Sequence, residues 1–413
     1  CGLLQLDDQH RARFEQLFKN LGRGIIHVGG RSTDLARWRP HADASCSTTH
    51  SVLTAGEVRA VFGLARRVAW KVLWELPLAH FNPRRTAAEA SYVASIGGDS
   101  LVGWTIGNEP DLYVKSMTRT LPWGYVNYFR QWNQTRAAVE RSVPSIGFVG
   151  PETCCNPVDF GSFAGDARRE VSALSLHFYS GSRTHLTAHY LLGPVPDRKL
   201  TSLASSAWQD SAQVDHLPLF VTETNTFPAG GVFGVSDTFA AGLWLVDFLF
   251  DALNLHISQA DVQQSGGDGA YNPVGPSGRA NAIYYGMLFF HSVVGPASRF
   301  LGTRLTTSAN LTAYAVSSEN SGLNVVVINK SAYGKAATVE VHPDAIYRYV
   351  RFFRLAATSL EARASGVTLA GARVSAQGTW RPRLTTFPLR TRLVTIAVPA
   401  GSAVCIEFRS RRK

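Results

Sequence analysis

The sequence predicts an α/β chain: a TIM (β/α)8 barrel lacking its first strand over residues 1–299, then an all-β sandwich over 300–413. Three observations carry that expectation. Short apolar runs alternate with stretches of helical periodicity up to about residue 300. Beyond it, strand-like runs follow one another through Gly, Ser, Asn and Pro turns, with no helix of length between them. Two apolar runs of the first region end in a glutamate, and barrel enzymes keep their catalytic groups at the carboxyl ends of strands.

The elements follow in order. Leu6, His10, Phe14, Leu17, Phe18 and Leu21 recur at helical spacing behind Asp7 and Asp8, acidic residues suited to a helix start. Residues 24–28 then read as a buried strand. Similar strands fall at 71–76, 101–106, 146–150, 173–178, 219–222 and 257–263, with helices between them such as 57–67, 125–141 and 236–253. That makes seven strands, where eight close a TIM barrel. In the second region strands are expected at 311–317, 323–329, 337–342, 347–354, 366–374, 383–389, 392–398 and 403–409. No linker separates the two regions, so they are expected to share a large contact.

With 413 residues, 45% hydrophobic and 17% charged, the composition is globular rather than disordered, and a chain this long buries a core without disulfide support. No apolar run reaches the roughly 18 residues of a membrane span. The longest, 239–253, is interrupted by Asp247 and Asp251 and reads as a buried helix. Residue 1 is Cys rather than Met, so the chain is expected to begin within a longer reading frame or after processing. The net charge of +11 lies entirely in residues 301–413, which hold 16 basic and 5 acidic residues against 25 of each in the first 300. This reads either as an ordinary soluble basic face or as a surface attractive to an acidic polymer, while no helix-turn-helix, zinc-finger or RNP pattern points to nucleic acid. None of the five cysteines forms a CxxC pair, which speaks against a zinc site. Adjacent Cys154 and Cys155 are not expected to bridge, because that geometry is strained. Sequons at Asn133, Asn310 and Asn329 favour a secreted glycoprotein.

Two segments carry chemistry. The run from Gly103 to Ile106 ends in Gly107-Asn108-Glu109-Pro110, where Pro110 stops the strand and Glu109 is expected to be extended. The run Leu219-Phe220-Val221-Thr222 ends in Glu223. A single strand-ending glutamate is most often a solvated cap or a surface ion pair. Two of them, on strands facing one cavity, are what glycoside hydrolysis needs: one to protonate the leaving oxygen, one to attack the sugar.

These segments resemble glycoside hydrolase family 79, the β-glucuronidases and heparanases among the retaining barrel hydrolases, and the resemblance runs over nearly the whole chain. Val28-Gly29-Gly30-Arg31-Ser32-Thr33-Asp34 is similar to the end of the family's second strand. Gly107 to Tyr113 is similar to its acid/base motif, especially in fungal members, and His177-Phe178-Tyr179 to its strand-six motif. Thr222-Glu223-Thr224-Asn225 resembles the nucleophile motif, and 235–242 the helix that follows it. The resemblance implies a retaining hydrolase of β-linked glucuronic or 4-O-methylglucuronic acid, acting on a glucuronic-acid-containing glycan with no metal or organic cofactor. It implies Glu109 as general acid/base and Glu223 as nucleophile, with their carboxyl groups about 5–5.5 Å apart. Asn108 would hold the sugar 2-hydroxyl, Tyr179 would donate to Glu223, and Gly30, Asp34 and His177 would line the sugar site. Gly230 and Tyr271 match the groups that meet the uronate, and Arg183 stands where heparanases have a basic residue. Arg31 and Lys115 flank the site as possible contacts to an anionic neighbouring sugar.

Two departures stand out. The Tyr expected two residues before Gly230 is Pro228, which offers neither a hydroxyl nor a backbone donor. The family's first barrel strand precedes the helix that starts near Asp7, and 1–6 are too few to supply it, so a seam is expected between the family's second and eighth strands. The chain alone is then expected to be insoluble or inactive. Two other readings stay open at this point: a heparanase-like endo-β-glucuronidase on a sulfated polysaccharide, and an inactive carbohydrate-binding relative.

Overall fold

The computed structural model describes residues 8–42, 52–182, 184–212, 216–318 and 322–410. Its first part is a parallel sheet of seven strands in sequential order: β1 (Ile25–Val28), β2 (Lys71–Leu76), β3 (Leu101–Ile106), β4 (Phe148–Thr153), β5 (Val171–Tyr179), β6 (Leu219–Asn225) and β7 (Ile257–Val262). Helices α1 (Asp8–Asn20), α2 (Ala55–Val68), α3 (Pro83–Gly97), α4 (Tyr125–Ser142), α5 (Pro157–Asp166), α6 (Pro194–Ala212), α7 (Phe239–Asn254) and α8 (Ala282–Val293) alternate with the strands. The inner strands β2 to β4 are near-continuous buried runs because helices cover one face and the barrel interior the other, whereas the edge strands β1 and β7 are only partly buried. Helix α2 shows how local chemistry sets a boundary. Thr54 caps it by accepting from the Glu57 backbone while the Glu57 carboxylate answers the Thr54 amide, and Ala69 ends it in the left-handed region.

The seam is where the sequence places it. Strands β1 and β7 are the two edges of the sheet and are not paired with each other. Side chains bridge the gap instead: His27 Nδ1 lies 2.9 Å from the Thr222 carbonyl and 3.4 Å from the Asp261 carboxylate. A cavity of about 550 Å3 runs along the seam, lined by Phe14, Phe18, Leu253, Met287 and Phe290 and reaching Gly30 and Glu223 at one end.

The second part is a sandwich of unequal layers. The larger antiparallel sheet has the order β8 (Phe300–Leu301), β9 (Leu311–Ser318), β10 (Gly322–Asn329), β16 (Ser402–Arg409), β12 (Tyr349–Ala357) and β13 (Val367–Leu369), with β14 (Thr386–Pro388) also paired to β12. The smaller layer pairs β11 (Ala337–Val341) with β15 (Val394–Val398) across a core of Val350, Val404, Ile406 and Phe408. The long strand expected at 366–374 is only β13. Past Leu369 the chain folds back on itself through Leu369–Ala372 bonds and then docks on the barrel, where Val374 donates to the Tyr285 hydroxyl and Asn20 donates to the Gly378 carbonyl. Two short strands, Arg37–Trp38 and Val52–Leu53, were not legible as strands.

The expected contact between the parts is a shared core. The rings of Phe289 and Phe353 lie 5.6 Å apart, those of Phe250 and Tyr314 5.3 Å. Helix α7 is buried on nearly every face because it lies between barrel and sandwich. A buried polar cluster ties the same boundary: Lys330 Nζ donates to Asp197 at 2.7 Å and to Asp247 at 2.6 Å, and Tyr314 donates to Asp247 and Asp251. This cluster bears on the sequons. Asn329, next to Lys330, is 2% exposed and donates to the Val398 carbonyl, so the folded protein does not present it to a glycosylating enzyme. Asn133 is exposed on α4.

Candidate active site

Glu109 follows β3 and Glu223 lies within β6, three strands along the sheet. The closing curvature brings their side chains together at the carboxyl end. One carboxylate oxygen of each, with one His177 ring nitrogen, all lie within 4.8 Å of one another. Glu109 is not extended as the following proline implied. It sits in the left-handed region at φ 47° and ψ 56°, its amide donating to the Glu152 carbonyl at 3.0 Å and its carbonyl accepting from Leu112. Those two bonds hold a conformation that costs a non-glycine residue free energy and turn the side chain into the barrel.

Glu223 has a donor on each oxygen. The Tyr179 hydroxyl donates to Oε1 at 2.5 Å, and the Gln263 amide donates to Oε2 at 3.1 Å. Burial, and then the Glu223 charge, raise the Tyr179 phenol well above its usual range, so it stays a donor. Gly30 completes this side. Its φ is +89°, and a Cβ there would stand 3.7 Å from Glu223 Oε2 and 3.4 Å from the Gln263 amide, so only glycine leaves the approach open without strain.

His177, 2% exposed, lies between two carboxylates: Nδ1 is 3.1 Å from Glu109 Oε1 and Nε2 is 3.2 Å from Glu152 Oε2. Burial alone would lower its pKa, but the charges of Glu223, Glu109 and Glu152 outweigh it and hold the ring well above the ordinary imidazole range. Glu152 is fully buried; despite that burial, the His177 and His27 partners and the Ser175 contact pull its carboxyl below the ordinary value. Deeper in the barrel, Glu75 accepts from the Gly30 amide at 2.9 Å, and its other oxygen has no hydrogen-bond partner among the described residues. Burial, with the neighbouring Asp34 charge, pushes its carboxyl well up, toward the neutral form. His27, Glu75 and Glu152 are close enough to share a cation, but hydrogen bonds to Gly30, His177 and Thr222 already occupy most of their ligand atoms.

The remaining expected residues divide. Tyr271 is 4% exposed beside Tyr179, its amide donating to the Gly230 carbonyl; burial and the Glu223 charge raise its phenol to about 12. Asn225 pins that loop, donating to the carbonyls of Gln263 and Tyr271. Asn108 is 8% exposed and its Oδ1 has no hydrogen-bond partner among the described residues. Asp34 is 3% exposed and both its oxygens accept from the fold: the Leu78 and Ala79 amides donate to Oδ1, and the Tyr113 hydroxyl donates to Oδ2 at 2.6 Å. Arg31 reaches the Ser116 carbonyl. Arg183 lies outside the described residues. Cys154 and Cys155 do form a disulfide, contrary to expectation. Asp111 accepts from the amides of Cys154, Cys155 and Asn156, which organises the backbone that carries them.

Glu152, Gln263, His27 and Glu75 were not anticipated. Two signals were available: Gly150-Pro151-Glu152 repeats the strand-ending carboxylate of the segments that carry Glu109 and Glu223, and Glu75 is an acidic residue within the apolar run that follows Lys71 in β2.

Comparison with known proteins agrees with this geometry. The chain is 25% identical over 391 residues to a β-glucuronidase of Aspergillus niger, covering 81% of this chain and 71% of that protein. It is 24% identical over 287 residues to a β-glucuronidase of Neurospora crassa, covering 60% of this chain and 51% of that one, about half the relative's length. In structure it is similar to a 4-O-α-L-rhamnosyl-β-D-glucuronidase of Fusarium oxysporum 12S, with a TM-score of 0.79, 18% identity, and coverage of 98% of this chain and 92% of that one. No protein-family model matches the chain. With these relatives, the barrel and sandwich are those of a glycosidase. More narrowly, the chain is a β-glucuronidase-like glycoside hydrolase.

Proposed function

We propose that the protein hydrolyses β-linked glucuronic acid from glycans with retention at the anomeric carbon. One observation carries the reading: the carboxylate oxygens of Glu109 and Glu223 approach within 4.8 Å. Retaining enzymes need carboxyl groups about 5–5.5 Å apart, whereas an inverting enzyme needs about 6.5–9.5 Å to admit a water. Glu109 then protonates the departing oxygen as Glu223 attacks the anomeric carbon, forming a glycosyl ester. Tyr179 and Gln263 each donate to one oxygen of the attacking carboxylate and orient it. Water next displaces Glu223, with Glu109 taking its proton. The unpartnered Oδ1 of Asn108 fits an acceptor for a sugar hydroxyl, and Gly230 with Tyr271 forms the wall proposed to meet the uronate. The kinship to curated β-glucuronidases supports the substrate class.

Turnover of an aryl β-glucuronide tests the reading. Glu223→Ala is expected to lose hydrolysis and, with azide added, to form the α-glucuronyl azide. Glu109→Ala is expected to keep the first step on an activated aryl glycoside and, with azide, to give the β-anomer. The same azide anomer from both variants, or wild-type release of the inverted sugar, contradicts the mechanism.

A further inference from the structure

Beneath the catalytic pair, two glutamates occupy matching backbone positions. Glu109 and Glu152 end neighbouring strands, both in the left-handed region at φ 47° and 62°, and the Glu109 amide donates to the Glu152 carbonyl. Two non-glycine residues so held, side by side, mark a site where strain has been retained. Their side chains do not touch. His177 is inserted between them, with one ring nitrogen on each.

We propose that Glu152 is a positioning residue for the acid step, acting through His177 to decide which oxygen of Glu109 carries the catalytic proton. The inference rests on reading Glu109 as the acid/base. Glu152 is fully buried, its Oε1 accepts from the Thr222 hydroxyl at 2.9 Å, and its amide is held by Ser175. With Thr222 donating to Oε1, the other oxygen, Oε2, is an acceptor for the Nε2–H of His177. A carboxylate at that nitrogen keeps the ring an imidazolium, and the ring then donates its Nδ1–H to Glu109 Oε1. An oxygen that accepts a hydrogen bond from a cation is not the one that is protonated, so the acidic hydrogen of Glu109 resides on Oε2. The Glu109 side chain is 22% accessible, and among the described residues no protein group bonds Oε2. Were His177 neutral with its hydrogen on Nε2, Nδ1 would become an acceptor and would draw the Glu109 hydrogen inward, away from the leaving group. The arrangement has the logic of an acid oriented by a base that is itself oriented by a buried carboxylate.

The charged and titratable groups around this network do not all act in one sense. Glu223 faces His177 from β6 and adds negative charge. His27, from β1, offsets part of the Glu152 charge and is itself paired with Asp261 of β7. Glu75 of β2 lies near Glu152 and is pushed toward its neutral form, Tyr128 of α4 donates to the Pro151 carbonyl, and Tyr179 stays a neutral donor.

The test uses Glu152→Gln, which keeps shape and an acceptor but removes the charge. Aryl β-glucuronides of graded leaving-group acidity separate the steps, because a good leaving group needs no proton. For the variant, kcat/KM on a poor leaving group is expected to fall about 100-fold, the range of general-acid catalysis, while that on a dinitrophenyl glucuronide stays within threefold. Equal losses across the series, or none, overturn the proposal. Should the variant not fold, nitrogen-15 NMR of the wild-type histidines decides. His177 doubly protonated above pH 7 supports the proposal, and His177 neutral at pH 7 overturns it. A wild type inert on every glucuronide is a failure of the functional reading instead.

Discussion

Replacing Lys330 by Met tests how barrel and sandwich are held together. The Lys330 side chain is 2% accessible, and its ammonium bonds Asp247, 3% accessible, and Asp197, 29% accessible. Burial works against this ammonium, but the Asp247 and Asp197 charges raise its pKa above the usual lysine value, so it is charged at neutral pH. Met fills the space of the stem and removes only the charge and its donors. The loss is not that of a surface pair, which is worth about 0–1 kcal/mol. Removing one partner of a buried pair leaves the other charge desolvated, at a cost of about 3–5 kcal/mol. The Thr312 and Tyr314 hydroxyls still serve Asp247, which places the expectation near the lower end of that range. An unfolding entropy of about 2.1 cal/mol/K per residue over 413 residues gives roughly 0.9 kcal/mol/K. A loss of about 3 kcal/mol then lowers Tm by roughly 3–4 °C if the two parts unfold together. Circular dichroism melts at pH 7 measure it, and the partner variant Lys330→Met/Asp247→Asn is expected to recover at least half. A shift below 1 °C, or no recovery in the double variant, refutes the claim that the ammonium compensates buried charge at this boundary.

Two further outcomes are expected. Tyr179→Phe removes the 2.5 Å bond to Glu223 and, at about 1.5–3 kcal/mol for a hydrogen bond to a charged group, lowers kcat/KM on an aryl β-glucuronide by roughly 10- to 150-fold with little change in Tm; an unchanged rate would count against Glu223 as nucleophile. Asp251 is raised from 3.8 to about 7, first by burial and then by the Asp247 charge. The folded state therefore binds its proton more tightly than the unfolded chain does. This contribution is fully present below about pH 4 and is lost as pH rises to 7, so Asp251→Asn is expected to flatten the pH dependence of Tm across that window. Parallel wild-type and variant curves from pH 4 to 7 would exclude the assignment.

Much of the barrel was legible. The runs at 71–76 and 101–106 are β2 and β3 as observed, because a strand buried on both faces is mostly apolar and its ends are marked by charge, Gly or Pro. In the sandwich the run at 366–374 misled, since Val367 and Leu369 alternate like a strand but the following residues are recruited by Tyr285 and Asn20 of the barrel. The strand-end position of Glu109 and Glu223 was legible too, being a local pattern. The turn at Glu109 was not: a preceding-proline rule describes intrinsic preference, and the Glu152 carbonyl overrides it. The Cys154–Cys155 bridge escaped in the same way, its backbone being organised by Asp111, 43 residues earlier.

From the sequence alone followed the alternation of elements, the switch from barrel to sandwich near residue 300, and the two glutamates at strand ends. These are properties of periodicity and of residue type at an element's boundary, so neighbours along the chain encode them. The proton network is of another kind. His177 meets Glu109 across 68 residues and Glu152 across 25, while His27 reaches Thr222 across 195. No local pattern marks which carboxylate stays charged, because that depends on how far water is excluded and which donors arrive, and only the curvature of the folded sheet brings them together.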